Sequence, residues 1–91
     1  MNSYYLTLVL RDIDEKERQV LLDDVKKGIS DKGKVIREDM WGTRDLAYPI
    51  KRQNKGYYVH LELEVDPKDV VALDKSLKVE ENIIRFLLVR N

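Results

Sequence analysis

Tyr57-Tyr58-Val59-His60-Leu61-Glu62-Leu63-Glu64-Val65-Asp66-Pro67 alternates and then breaks. Tyr57, Val59, Leu61, Leu63 and Val65 fall on one side of the chain, and Tyr58, His60, Glu62 and Glu64 on the other. A period of two fits a strand with one face in a core and one face open. Tyr57 is assigned to the core side and Tyr58 to the open side. Asp66 then offers an N-cap oxygen, and Pro67 suits the first helical position, where no N–H is needed. Val70, Leu73 and Leu77 supply the apolar stripe of a short helix.

The same order of signals stands at the N-terminus. Tyr4 to Arg11 alternates, with Tyr4, Leu6, Leu8 and Leu10 on one side and Tyr5, Thr7, Val9 and Arg11 on the other. Asp14 resembles an N-cap, and Glu17 stands three residues on as a capping-box partner. Val20 or Leu21, then Leu22, Val25 and Ile29, give one helical stripe to about Lys32. Gly33 is suited to end that helix in a left-handed conformation. Lys34 to Lys51 is long for one strand. Gly42 in its middle predicts a bulge, and Pro49, which cannot donate to a ladder, predicts an edge or an irregularity. Gln53-Asn54-Lys55-Gly56 reads as the next turn. Ile83 to Val89 is a closing strand, apolar on both faces.

The order is therefore β-α-β-β-α-β, and the fold class is α+β. The simplest arrangement is a ferredoxin-like sandwich, with a four-stranded antiparallel sheet and two helices on one face. In it the first and third strands are neighbours, and the second and fourth lie at the edges. The other sheet face stays open. Residues 1–91 are expected to make one domain, with no linker or low-complexity segment. The first and third strands resemble one another, which hints at two similar halves.

Composition removes several function classes. There are no cysteines, so thiolate nucleophiles, disulfides and Cys-based metal sites are excluded. His60 is the only histidine, too little for a histidine triad or an imidazole metal site. No run approaches the roughly 18 apolar residues of a membrane span, and no signal pattern opens the chain. The expected location is the cytoplasm, and neither a cofactor nor a metal is expected. Net charge is zero but lopsided. Residues 12–24 hold six acids against Lys16 and Arg18, whereas residues 44–55 hold Arg44, Lys51, Arg52 and Lys55 against Asp45 alone. Arg85 and Arg90 follow with no acid after Glu81. A local basic edge can meet phosphate even at zero net charge.

Two sets of residues stand out. Trp41, Arg44, Leu46 and Tyr48 lie on an edge strand. Large side chains there can anchor a protein partner, although Arg44, Asp45 and Pro49 also serve as plain edge protection, and Leu46 and Ile50 also suit a core. Lys51, Arg52, Lys55, Arg85 and Arg90 are candidates for phosphate contact, although exposed turns are often basic for solubility alone. Tyr5 and Tyr58 are candidates for a base-stacking platform on the open face, with ordinary cross-strand packing as the plainer reading. An acylphosphatase-like enzyme would need an arginine and an asparagine, for which Arg11 and Asn54 are only loose analogues. A homo-oligomeric ligand-binding regulator using the open sheet face is the alternative function.

Gly42-Thr43-Arg44-Asp45-Leu46-Ala47-Tyr48-Pro49-Ile50-Lys51 resembles the signature of the bacterial ribosomal small-subunit protein six family. There it reads Gly, any residue, a basic residue, a polar or charged one, then Leu-Ala-Tyr-Pro-Ile. Tyr4, Trp41-Gly42, Lys55-Gly56-Tyr57-Tyr58 and Glu81-Asn82-Ile83 running into Leu87-Leu88-Val89-Arg90 extend the resemblance over residues 3–91. Two departures are Asp45, where a second basic residue is common, and an end at Asn91 without the extended tail of some members. The resemblance implies a non-catalytic component of the small ribosomal subunit. It implies binding to the central domain of small-subunit ribosomal RNA, as a heterodimer with ribosomal small-subunit protein eighteen. Trp41, Arg44, Leu46 and Tyr48 would then face that partner. Lys51, Arg52, Lys55, Arg85 and Arg90 would face the RNA.

Overall fold

A computed structural model describes residues 2–91. Strand β1 (Asn2–Leu10) leads into helix α1 (Glu15–Ser30), strands β2 (Gly33–Ile50) and β3 (Gln53–Val65), helix α2 (Pro67–Lys78) and strand β4 (Ile83–Arg90). The sheet order is β2-β3-β1-β4, antiparallel throughout. This is the expected β-α-β-β-α-β sandwich, with β1 and β3 central and β2 and β4 at the edges.

The caps form as the residue types dictate. Asp14 accepts from the Glu17 backbone N–H at 2.8 Å, and Asp66 accepts from the Lys68 backbone N–H at 3.1 Å. Each satisfies one donor that a helix start leaves unpaired. The alternating apolar residues meet the helical stripes in one layer. Leu6, Leu8, Leu10, Val59, Leu61, Leu63 and Val65 from the central strands pack with Leu22 and Ile29 of α1. Leu73 and Leu77 of α2 close the same core. Leu21 is buried and Val20 is exposed, which settles the phase of α1. In β4, Phe86 and Leu88 pack on the core, whereas Leu87 and Val89 remain exposed on the open side.

Two expectations are corrected. Gly33 does not end α1 in a left-handed conformation. The helix stops at Asp31 in the right-handed region, and Gly33 is the first residue of β2. Its lack of a side chain serves a close approach instead, because a Cβ there would collide with the backbone carbonyl oxygen of Glu64. The turn between β2 and β3 is not Gln53 to Gly56 either. Ile50 pairs with Gln53, so the turn is the two-residue loop Lys51-Arg52, with φ of 50° and 66°. Both central residues at positive φ mark a type I′ hairpin turn. Gly56 misled the reading. It lies in a strand where a Cβ would press on Val9 Cγ1.

The bulge predicted at Gly42 is present. The β2–β3 register shifts between Met40 and Gly42, and Gly42 has a φ of 88°. Two further shifts lie between Val35 and Arg37 and between Asp45 and Ile50. Pro49 falls inside the last of these, on an edge strand, where a residue without an N–H is tolerated.

Candidate nucleic-acid interface

Register decides what the open face presents. Thr7 pairs with His60, Val9 with Tyr58, and Asp39 and Gly42 of β2 flank the bulge opposite His60 and Tyr58. Trp41, two residues after Asp39, lies on this face at the bulge. Its ring stacks on His60 with centroids 5.3 Å apart, and Tyr5 stacks on His60 at 5.5 Å. Thr7 Oγ1 lies 3.0 Å from His60 Nδ1 and fixes the imidazole between the two larger rings. Arg44 then extends the row. Its guanidinium carbon lies 5.5 Å from the Trp41 ring centroid and 5.9 Å from that of Tyr58, within cation–π range.

Tyr5 packs across strands on His60 rather than beside Tyr58, in line with the plainer of the two readings. Tyr5 pairs with Glu62 and Tyr58 with Val9, four residues apart along the strands. The rings that do meet use their faces on one another, which favours protein packing over splayed bases. Tyr57 takes the core side, as expected, under the Arg18 guanidinium at 3.9 Å.

The four candidate partner residues are not equivalent. Trp41 and Arg44 belong to the open-face row. Leu46 is half-buried, and its Cδ2 would meet a Cβ at Gly56. Tyr48 is 62% exposed and stands clear of the row.

The basic candidates divide as well. Lys51 and Arg52 form the hairpin tip, and Lys55 stands opposite Asp45. Arg85 pairs with Val9, on the open side, whereas Arg90 pairs with the buried Tyr4, on the helix side. Arg85 and Arg90 therefore do not share a face. Five residues apart in an unbroken register, they fall on opposite faces by simple alternation. All five are exposed, and none takes part in an ion pair among the described residues. Some acids of the sheet are paired with other cations, as in Lys26–Glu38 at 3.1 Å and Lys34–Glu64 at 3.3 Å.

A hollow of about 210 Å³ on the open face is lined by Thr7, Val9, Ile50, Tyr58, Arg85 and Leu87, so the hairpin curls back toward β4. A groove of about 330 Å³ between the helices has the opposite character, with Asp24, Asp31 and Glu80 around Leu21, Leu73 and Leu77. Among the described residues, no group of three or more His, Cys, Asp or Glu is placed to hold a metal ion. No helix is long and apolar enough to cross a membrane.

The family model for ribosomal protein S6 matches residues 3–90. The chain belongs to the ribosomal protein S6 family. Small ribosomal subunit protein bS6 of Clostridioides difficile is 38% identical over 98% of both chains. That of Alkaliphilus metalliredigens is 38% identical over 99% of this chain and 97% of its own. A crystal structure of 30S ribosomal protein S6 from Thermotoga maritima superposes with a TM-score of 0.93 at 29% identity, covering 99% of this chain and 87% of that one. An uncharacterised Thermotoga maritima protein, with a TM-score of 0.61 at 22% identity, shares the fold alone. An S6 protein is a ribosomal protein and not an enzyme, so the loose Arg11–Asn54 analogy ends here. The ribosomal reading takes precedence over the homo-oligomeric regulator.

Proposed function

We propose that this protein, as one domain spanning residues 1–91, is built into the small ribosomal subunit, where it binds the central domain of small-subunit ribosomal RNA as a heterodimer with small-subunit protein eighteen. Membership of the S6 family supports the subunit, and with it a ribosomal location in the cytoplasm. The single observation that carries the division of labour is the segregation of side chains on β2 and its hairpin. The open face ends in an aromatic row capped by Arg44, and the hairpin tip carries cations that form no ion pair among the described residues.

Trp41, Arg44, Leu46 and Tyr48 are assigned to the protein partner. Aromatic and arginine side chains are the residues that most often dominate interface energy. Lys51, Arg52, Lys55, Arg85 and Arg90 are assigned to RNA phosphates. Such contacts orient a rigid body and read little sequence. A handful of them binds weakly at physiological salt, so the joint surface with a partner supplies the remaining affinity and the specificity. No step of chemistry and no cofactor is involved.

Calorimetric titration of protein eighteen into this protein tests the pairing. One-to-one binding that Trp41→Ala weakens by about tenfold or more supports it. Absence of any binding heat, with both proteins folded, overturns it.

A further inference from the structure

Where the hairpin tip approaches the opposite edge of the sheet, it closes a cleft of about 430 Å³. Lys51 lines one side. Asp74, Leu77 and Lys78 of α2 and Ile83 to Leu88 of β4 line the other. Three cations, Lys51, Lys78 and Arg85, face one carboxylate, Asp74, which leaves an excess of two positive charges. Lys78 holds Asp74 at 2.9 Å across one helical turn. Lys51 and Arg85 have no acidic partner among the described residues. β4 is an edge strand, so its outer backbone groups have no sheet partner either.

The tip itself is unusual. A type I′ turn favours Asn-Gly or Asp-Gly, because both central residues need positive φ. Here both positions are long cations, with φ of 50° for Lys51 and 66° for Arg52. Strain of this kind is retained where the surrounding structure needs the side chain. Asn and Gly would relax the turn and leave the cleft without its third cation.

We propose that this cleft is a phosphate seat for the RNA backbone, formed jointly by Lys51, Arg85 and Lys78. The inference rests on the RNA reading above and sharpens it. It adds Lys78, which stands apart from the basic run in sequence, and leaves out Arg90, which does not line the cleft. A phosphodiester suits the seat because it presents charge without requiring base contacts, and the walls offer point charges rather than a shaped polar pocket.

The test is a salt-dependent titration of a central-domain RNA fragment with the heterodimer, using single variants. Lys51→Ala, Arg85→Ala and Lys78→Ala each lower the steepness of log affinity against log salt by about 0.7–0.9. Asp74→Asn tightens binding, since it removes the only carboxylate in the cleft. Lys27→Ala, an exposed lysine of α1 outside the cleft, leaves the slope at its original value. If the unaltered heterodimer binds RNA while Lys78→Ala and Arg85→Ala keep both slope and affinity, the seat is overturned and the RNA reading stands. If the unaltered heterodimer binds no RNA, the reading beneath it falls, and the seat with it. Urea midpoints of each variant, unchanged for these exposed positions, separate lost contacts from lost folding.

Discussion

The Trp41 indole lies nearly parallel to the His60 imidazole, with 7° between the planes, immediately before the bulge that Gly42 makes at positive φ. One glycine thus lets Arg44, two residues on, share the open face with Trp41. Nothing lies within 4 Å of a Cβ at Gly42, so an alanine there meets no obstacle and suffers from backbone conformation alone. Gly42→Ala is expected to destabilise the fold by about 1–2 kcal/mol. It is also expected to shift the emission of Trp41, the only tryptophan. Urea unfolding followed by fluorescence reads both effects. An unchanged midpoint and spectrum would show that the bulge does not hold the stack.

Two other glycines predict opposite signs. Gly33→Ala drives a methyl group into the Glu64 carbonyl oxygen, a backbone atom that cannot rotate away. It should cost about 1–3 kcal/mol as an overpacking change. Gly28→Ala enters open space on an exposed helical position. It should gain about 0.5–1 kcal/mol from helix propensity. Chemical denaturation of both variants checks the order.

The hairpin tip carries a trade-off between stability and binding. Replacing Lys51 by Asn and Arg52 by Gly supplies the residues a type I′ turn prefers and should relieve about 1–2 kcal/mol per residue at most. The expected result is a higher unfolding midpoint together with weaker RNA affinity. A midpoint that falls would show that Lys51 and Arg52 hold the tip by contacts that outweigh their strain.

Arg44→Glu places a carboxylate beside the Trp41 and Tyr58 rings, whose faces favour a cation. Partner affinity should fall by about tenfold or more, with the midpoint of unfolding within about 0.5 kcal/mol of the original because the side chain is exposed. Equal affinity at matched salt would remove the open-face row from the interface.

Alternation and capping made most of the fold legible. Asp14 and Asp66 cap the helices that the sequence predicts, and Leu6, Leu8, Leu61 and Leu63 fill the predicted core. What failed were local signals that serve tertiary needs. Gly33 and Gly56 look like turn residues but answer to Glu64 and Val9 across the sheet. Lys51 and Arg52 form the turn without any residue that advertises one. The candidate residues for binding were visible as types, but their grouping was not. The bulge at Gly42 reverses the alternation of β2, and so brings Arg44 onto the open face beside Trp41 and Tyr58. That bulge leaves the composition of the strand unchanged, so pattern alone cannot assign the face of the residues that follow it. Lys78 enters only through the curl of the hairpin, for which residue spacing carries no sign.

The most direct test of the central claim is a titration of a central-domain fragment of small-subunit ribosomal RNA, first with this protein alone and then with protein eighteen from the same source. Tight, salt-dependent binding in the joint titration, with little binding by this protein alone, is the predicted result. RNA affinity that protein eighteen does not change, or no binding in either titration, would contradict it.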